Sequence, residues 1–149
     1  MSSLSNTNCE VILPVSDLKE ISEIERSIQK KYRPYLWSPF IKALKEFSLI
    51  EDGDKVAVAI SGGKDSLLLA KLLQELKRAS KTKFELVFIS MNPGFNQENL
   101  DNLKKNLEHL KIPCEIYEDN IFEIAEKMAK DYPCYMCAKM RRGYLYNKA

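Results

Sequence analysis

No apolar run in the 149-residue chain approaches the roughly 20 residues that a bilayer-spanning helix needs. Residues 1–10 lack the basic and apolar regions of a secretory signal. A cytoplasmic location is therefore the expectation. Cysteine is scarce, four residues in all, and in a reducing compartment that number does not argue for a disulfide scaffold. Metal, cluster or redox chemistry is the expectation for any cysteine that is not simply core. There is no internal repeat and no low-complexity segment. Histidine occurs once, at His109, where an amphipathic helix ends and the helix dipole favours a cation. Charge of one sign is also lacking: 23 Lys and Arg against 21 Asp and Glu leave a net charge of +2, which says little about partners. The one asymmetry is local. From Cys134 onward the charged residues are Lys139, Arg141, Arg142 and Lys148, with no acid among them. Such an end suits RNA phosphates, and a solvated helix face explains it equally well.

What is present is an alternation of apolar runs. Residues 1–15 read as a loose leader, and 16–149 as one domain. A first helix follows the leader, with Asp17 and Glu20 as a capping pair and Leu18, Ile21, Ile24 and Ile28 near one face. Lys30 to Pro34 breaks it. Ser38 is expected to cap a second helix, with Pro39 at its first position and Ile41, Leu44 and Phe47 as its apolar stripe. The first strand, Lys55–Ile60, is apolar at nearly every position, as in a parallel strand covered on both faces. A helix over 66–78, a strand over 84–91 and the turn Asn92-Pro93-Gly94 come next. Leu100, Leu103, Leu107 and Leu110 then mark a helix with one buried face. A short edge strand over 112–117, with Pro113 near its start, precedes a helix over 121–130 and a last helix after Pro133.

Strand–helix alternation with right-handed crossovers predicts an α/β fold: the N-terminal half of a doubly wound parallel sheet, preceded by two helices, with strand order 3-2-1. Ligands of such sheets sit at the strands' C-terminal ends. The first strand would keep an open flank, so the chain is expected to be C-terminally incomplete, a truncated product or fragment, or paired with another copy or subunit.

The strongest motif is Ser61-Gly62-Gly63-Lys64-Asp65-Ser66, between the first strand and a leucine-rich helix. Adjacent glycines let the backbone approach an anion. The next amides open a helix, where unpaired N–H groups and the dipole favour negative charge. Lys64 adds a point charge, and Ser61 and Ser66 add hydroxyls. The spacing is neither Walker A nor the dinucleotide G-x-G-x-x-G pattern. Pro133-Cys134-Tyr135-Met136-Cys137 is a C-x-x-C pair at a helix start. Three readings compete for it: half of a zinc site, with Cys9, Cys114 or His109 as completions; a redox pair; or two ligands of an iron–sulfur cluster. Cys114 itself reads as core. Tyr32, Tyr35 and Trp37 read as base-stacking or helix-packing aromatics.

S-G-G-K-D-S is the signature of PP-loop ATP pyrophosphatases. Together with Cys134-x-x-Cys137 and Arg141-Arg142-Gly143-x-Leu145-Tyr146, it resembles the TtcA-type tRNA 2-thiolation family and its short YdaO-type forms, over residues 40–149. The resemblance implies an ATP-dependent enzyme that adenylates a pyrimidine C2 oxygen in tRNA, after which a sulfur donor displaces AMP. It implies that Ser61, Gly62, Gly63, Lys64, Asp65 and Ser66 bind ATP. Lys64 and the glycine-region amides would meet the β- and γ-phosphates, and Asp65 would steer Mg²⁺. It ranks the cluster reading first, with Cys134 and Cys137 as two of three cysteine ligands to a four-iron, four-sulfur cluster. The family's third cysteine and its G-H-H-x-D-D segment find no counterpart by residue 149, so the chain alone is not expected to complete the reaction. Two alternatives stay open: a cluster-free PP-loop ligase or amidotransferase relative, and a non-catalytic nucleotide- or iron-binding subunit.

Overall fold

The chain begins its described part with helices whose polar residues matter more than their apolar ones. A computed structural model describes residues 18–92, 94–119, 121 and 133–149. Helix α1 (Ile21–Gln29) buries Ile28 and half-buries Ile21 and Ile24, while Leu18 stays outside and exposed. Glu20 precedes the helix without a side-chain cap; Asp17, its expected capping partner, lies outside the described residues. After α1 the chain makes a π-helical turn, Arg33–Trp37, that runs straight into α2 (Ser38–Glu46). Ser38 is therefore not a cap. Its amide already donates to Arg33 O across the π turn, so α2 has no open N-terminus for a hydroxyl to satisfy.

Strand β1 (Lys55–Ile60) leads through the glycine loop into α3 (Lys64–Ala79). Strand β2 (Glu85–Asn92) leads into α4 (Gln97–His109), and β3 (Cys114–Glu118) follows. The last described helix is α5 (Pro133–Lys148). The expected helix over 121–130 lies outside the described residues apart from Ile121. β2 is central and pairs in parallel with both neighbours, Ile60 opposite Ser90 and Asn92 opposite Glu118. The sheet is thus the expected parallel half, with the expected order. β3 is an edge strand. Pro113 stands just before it, where its missing N–H breaks no ladder bond.

The expectation that β1 is covered on both faces does not hold. Val58 and Ile60 are buried, whereas Ala57 and Ala59 are exposed. On β2 Phe88 is 3% exposed and Val87 49%. The reason is topological. Two successive right-handed crossovers place α3 and α4 on the same face. There Val58, Ile60, Ala70, Leu73, Phe88, Leu103, Leu107 and Ile112 form the core, and each large side chain buried there contributes roughly 1.5–3 kcal/mol. On the other face, among the described residues, α5 covers the C-terminal end, packing Cys137 and half-buried Met140 and Tyr144 against Met91 and Ile121.

Helix α1 is fastened to α3 by buried charge. Lys71 is 3% exposed and Glu75 0%. Lys71 Nζ donates to Glu25 Oε1 at 2.7 Å, Gln74 Oε1 at 2.8 Å and Leu110 O at 3.1 Å. Gln29 Nε2 donates to Glu75 Oε2. Within α3, Glu75 Oε1 pairs with Arg78 Nη2 at 2.7 Å. Partial burial pushes the Glu25 carboxyl up, but hydrogen bonds from Lys71 and Arg78 and their charges outweigh it and bring the carboxyl below its ordinary value.

Candidate functional site

The end of β1 is pinned before the loop begins. Ser90 Oγ, buried on β2, donates to Ile60 O at 2.7 Å. Ser61 then leaves the sheet, and Gly62 turns the chain with φ +89°. A Cβ on Gly62 would stand 3.3 Å from Leu103 Cδ1 of α4, so the loop is pressed against the helix beside it. Gly63 is extended and precedes α3, and no side chain caps the helix. Backbone geometry therefore explains both glycines: one for the left-handed turn, one for an unshielded helix start.

The two hydroxyls shape the loop from inside. Ser66 Oγ donates to Gly63 O at 2.9 Å, Ser61 Oγ donates to Ser66 Oγ at 3.2 Å, and Gly63 N donates to Ser61 Oγ at 3.3 Å. Leu67 N closes the first helical bond to Gly63 O at 3.2 Å. Lys64, Asp65 and Ser66 occupy the first three helical positions, whose amides have no acceptor within the helix. The side chains of Lys64 and Asp65 are exposed, and among the described residues neither makes an ion pair or side-chain hydrogen bond. The arrangement is an open cup of N–H groups with a free ammonium at its rim. Helix-start amides and an ammonium are groups suited to an anion.

The turn after β2 lies alongside, because β1 and β2 run parallel in register. Asn92, 8% exposed, accepts at Oδ1 from the amides of Gly94 (3.1 Å) and Phe95 (2.6 Å), and its carbonyl accepts from Asp119 N at 3.0 Å. Asn96 caps α4 by accepting from Asn99 N at 2.9 Å. Sequence reasoning marked Asn92 as a turn residue but missed Ser90 and Asn96. Asn96 carried a visible signal, a capping residue before a helical repeat. Ser90 carried none, since a serine inside an apolar strand does not declare its partner.

The C-x-x-C pair opens α5 at the same end of the sheet. Cys134 is exposed, and Cys137, 8% exposed, packs on Met91 near the end of β2. Among the described residues, no three of His, Cys, Asp or Glu gather to hold a metal ion. Cys9 lies outside the described residues. Cys114 is half-buried on β3, and burial, helped by the Glu115 charge, pushes its thiol up to about 11; it stays a protonated core thiol. His109 Nε2 lies 2.9 Å from Lys19 O, a contact between α4 and the residues that lead into α1. Trp37 packs on Phe40 at 6.0 Å between ring centroids, while Tyr35 is exposed. A cavity of about 480 Å³ lies at the opposite end of the sheet, lined by Trp37, Leu44, Ile50, Ala79 and Phe84 among others. It holds no loop residue, and the loop's chemistry belongs to open surface.

Comparison with known proteins places the loop in a family. Residues 24–131 match the PP-loop domain. Over 113 residues the chain is 39% identical to a tRNA-cytidine(32) 2-sulfurtransferase of Bdellovibrio bacteriovorus, covering 73% of this chain and 42% of that protein. It is 38% identical to the enzyme of that name from Acinetobacter baumannii, covering 72% of this chain and 36% of the relative. The Pelobacter propionicus enzyme is 36% identical over 110 residues, 72% of this chain and 41% of its own length. The chain thus spans about two-fifths of the length of the curated relatives it matches. The match covers more than half of the chain and includes the whole glycine loop: this protein belongs to the PP-loop family, and its likeness within that family is to the TtcA-type tRNA 2-thiolation enzymes.

Proposed function

We propose that this chain is the ATP-binding part of a tRNA-thiolating system, in which the loop 61–66 holds ATP for transfer of AMP to a pyrimidine C2 oxygen. One observation carries the reading. The first-turn amides of α3 open onto the surface beside an unpaired Lys64, with Gly62 held in the left-handed turn that shapes the cup. The names of its relatives support tRNA cytidine as the substrate class.

A carbonyl oxygen is a poor leaving group. Its attack on the α-phosphate of ATP breaks the bond to the β-phosphate and releases pyrophosphate. Sulfur then attacks C2, the C–O bond breaks, and AMP leaves. In this scheme Lys64 and the amides following Gly63 stabilise charge on the departing pyrophosphate, and the loop orients the α-phosphate. Ser61 and Ser66 keep the loop open in its bonded form. Asp65, exposed on the first turn of α3, is the carboxylate available to orient Mg²⁺ on the phosphates. Cys134 and Cys137 offer two thiolates for a four-iron, four-sulfur cluster. Two do not complete it, and among the described residues no third donor joins them. The pair fits half of such a site.

Calorimetric titration with Mg²⁺–ATP tests the loop. Lys64→Ala is expected to weaken binding about 10- to 100-fold, the loss of one charge-assisted contact to phosphate. Equal affinity for the wild type and this variant would remove the loop from nucleotide binding.

A further inference from the structure

Helix α5 shows solvent a face that its packing does not explain. Its inner side is anchored: Cys137, Met140 and Tyr144 pack toward Met91 and Ile121. Tyr144 also meets Tyr117 edge-on at 6.4 Å, and Lys148 Nζ lies 5.1 Å from the Tyr117 ring centroid and 5.6 Å from that of Tyr144. Directly opposite run Tyr135, Lys139, Arg142 and Tyr146, spaced by four, three and four residues. At 3.6 residues per turn these four fall within an arc of about 60°. All are exposed, Tyr135 at 64% and Tyr146 at 83%. α5 carries no carboxylate, while Lys139, Arg141, Arg142 and Lys148 give it four positive charges.

A solvated face accounts for the cations alone, but not for two large exposed rings in line with them. Here two flat rings flank two cations along one line on a helix anchored from behind. Tyrosine offers a rigid stacking platform at small entropy cost, and Lys and Arg neutralise a phosphate chain. A protein partner that wanted this stripe would need an acidic surface with slots for both rings. A polyanion with planar bases supplies both complements along one strand.

We propose that this stripe binds single-stranded RNA, bases stacking on Tyr135 and Tyr146 and phosphates meeting Lys139 and Arg142. The stripe starts beside the C-x-x-C pair, at the sheet end that carries the glycine loop. The inference rests on the RNA-modifying reading of the chain and names the surface through which that RNA is held.

The test is fluorescence anisotropy with a labelled oligouridine of about twelve nucleotides, within the range one such surface spans, on the full chain. Tyr135→Ala and Tyr146→Ala are each expected to weaken binding about tenfold, and Tyr→Phe at both positions to restore it. Lys139→Gln with Arg142→Gln is expected to make the dependence of log K on log salt shallower by about 1.4, two phosphate contacts on a single strand. Mg²⁺–ATP affinity should be unchanged in all of them, since none touches the loop. RNA affinity and salt slope equal to wild type in the stripe variants would overturn the proposal, as would a wild type that binds ATP and no RNA. Normal, stripe-dependent RNA binding in a chain that fails to take ATP would sustain the stripe and sink the loop reading instead.

Discussion

Gly62 is the residue on which the loop turns. Its φ of +89° lies where a side chain clashes with its own backbone, a strain of roughly 1–2 kcal/mol for a residue with a Cβ. The neighbouring Leu103 Cδ1, 3.3 Å from that added carbon, is the flexible end of a side chain and would shift, so the strain rather than the contact sets the cost. Gly62→Ala should therefore lower stability by about 1–2 kcal/mol in chemical denaturation, and it should weaken nucleotide binding by more than its effect on folding. Gly143 is the control. It lies within α5 without positive φ, and nothing stands within 4 Å of an added Cβ. Alanine there should stabilise the helix by about 0.5–1 kcal/mol. Two glycines in one chain thus answer oppositely to the same substitution, because one serves a turn and the other only interrupts a helix.

At the scale of elements, the α1–α3 clamp holds the most testable energy. Glu25 faces a buried ammonium on Lys71 and the guanidinium of Arg78. Glu25→Gln leaves Lys71 without a counter-charge and should cost about 3 kcal/mol at neutral pH. The pH dependence follows from the lowered carboxyl. A depressed folded pKa means that the stabilisation is present above the unfolded value and is lost as pH falls through the folded one. Thermal melts of the wild type should therefore lose stability on acidification below the ordinary glutamate range. The Gln variant should lose less over the same interval, and parallel curves would contradict the role given to Glu25. None of this was legible beforehand. Lys71, Gln74 and Glu75 punctuate a leucine-rich run, and their partners on α1 stand 46 residues away for the Lys71–Glu25 and Glu75–Gln29 contacts. Pattern reading sees local periods, not which distant carboxylate will meet a lysine. What was legible was periodic or chemically restrictive: the leucine face of α4, the parallel strands and their order, the glycine loop and its helix. The loop was readable because its chemistry tolerates few residues at each step. The π turn into α2 was not, since no residue in Arg33–Trp37 announces an i+5 bond.

Across the whole molecule, the sheet is built unevenly, and that unevenness organises function. One face is sealed by α3 and α4; among the described residues the other is sealed where α5 crosses the strand ends, and Ala57, Ala59 and Val87 are exposed. A composition of apolar residues cannot tell one-sided from two-sided burial, because the choice depends on which way the crossovers turn. The same crossovers gather the chemistry at one end: the glycine loop after β1, the asparagine turn after β2, and the cysteine-bearing helix over the tip of β2. The cavity of about 480 Å³ opens at the other end, among Trp37, Ile50 and Phe84. These two ends make opposed claims on a nucleotide. An amide-resolved NMR titration of the full chain with Mg²⁺–ATP decides between them: the account predicts that Gly63, Lys64, Asp65 and Ser66 shift first and furthest, and shifts centred on Trp37, Ile50 and Phe84 with those four amides unmoved would contradict it.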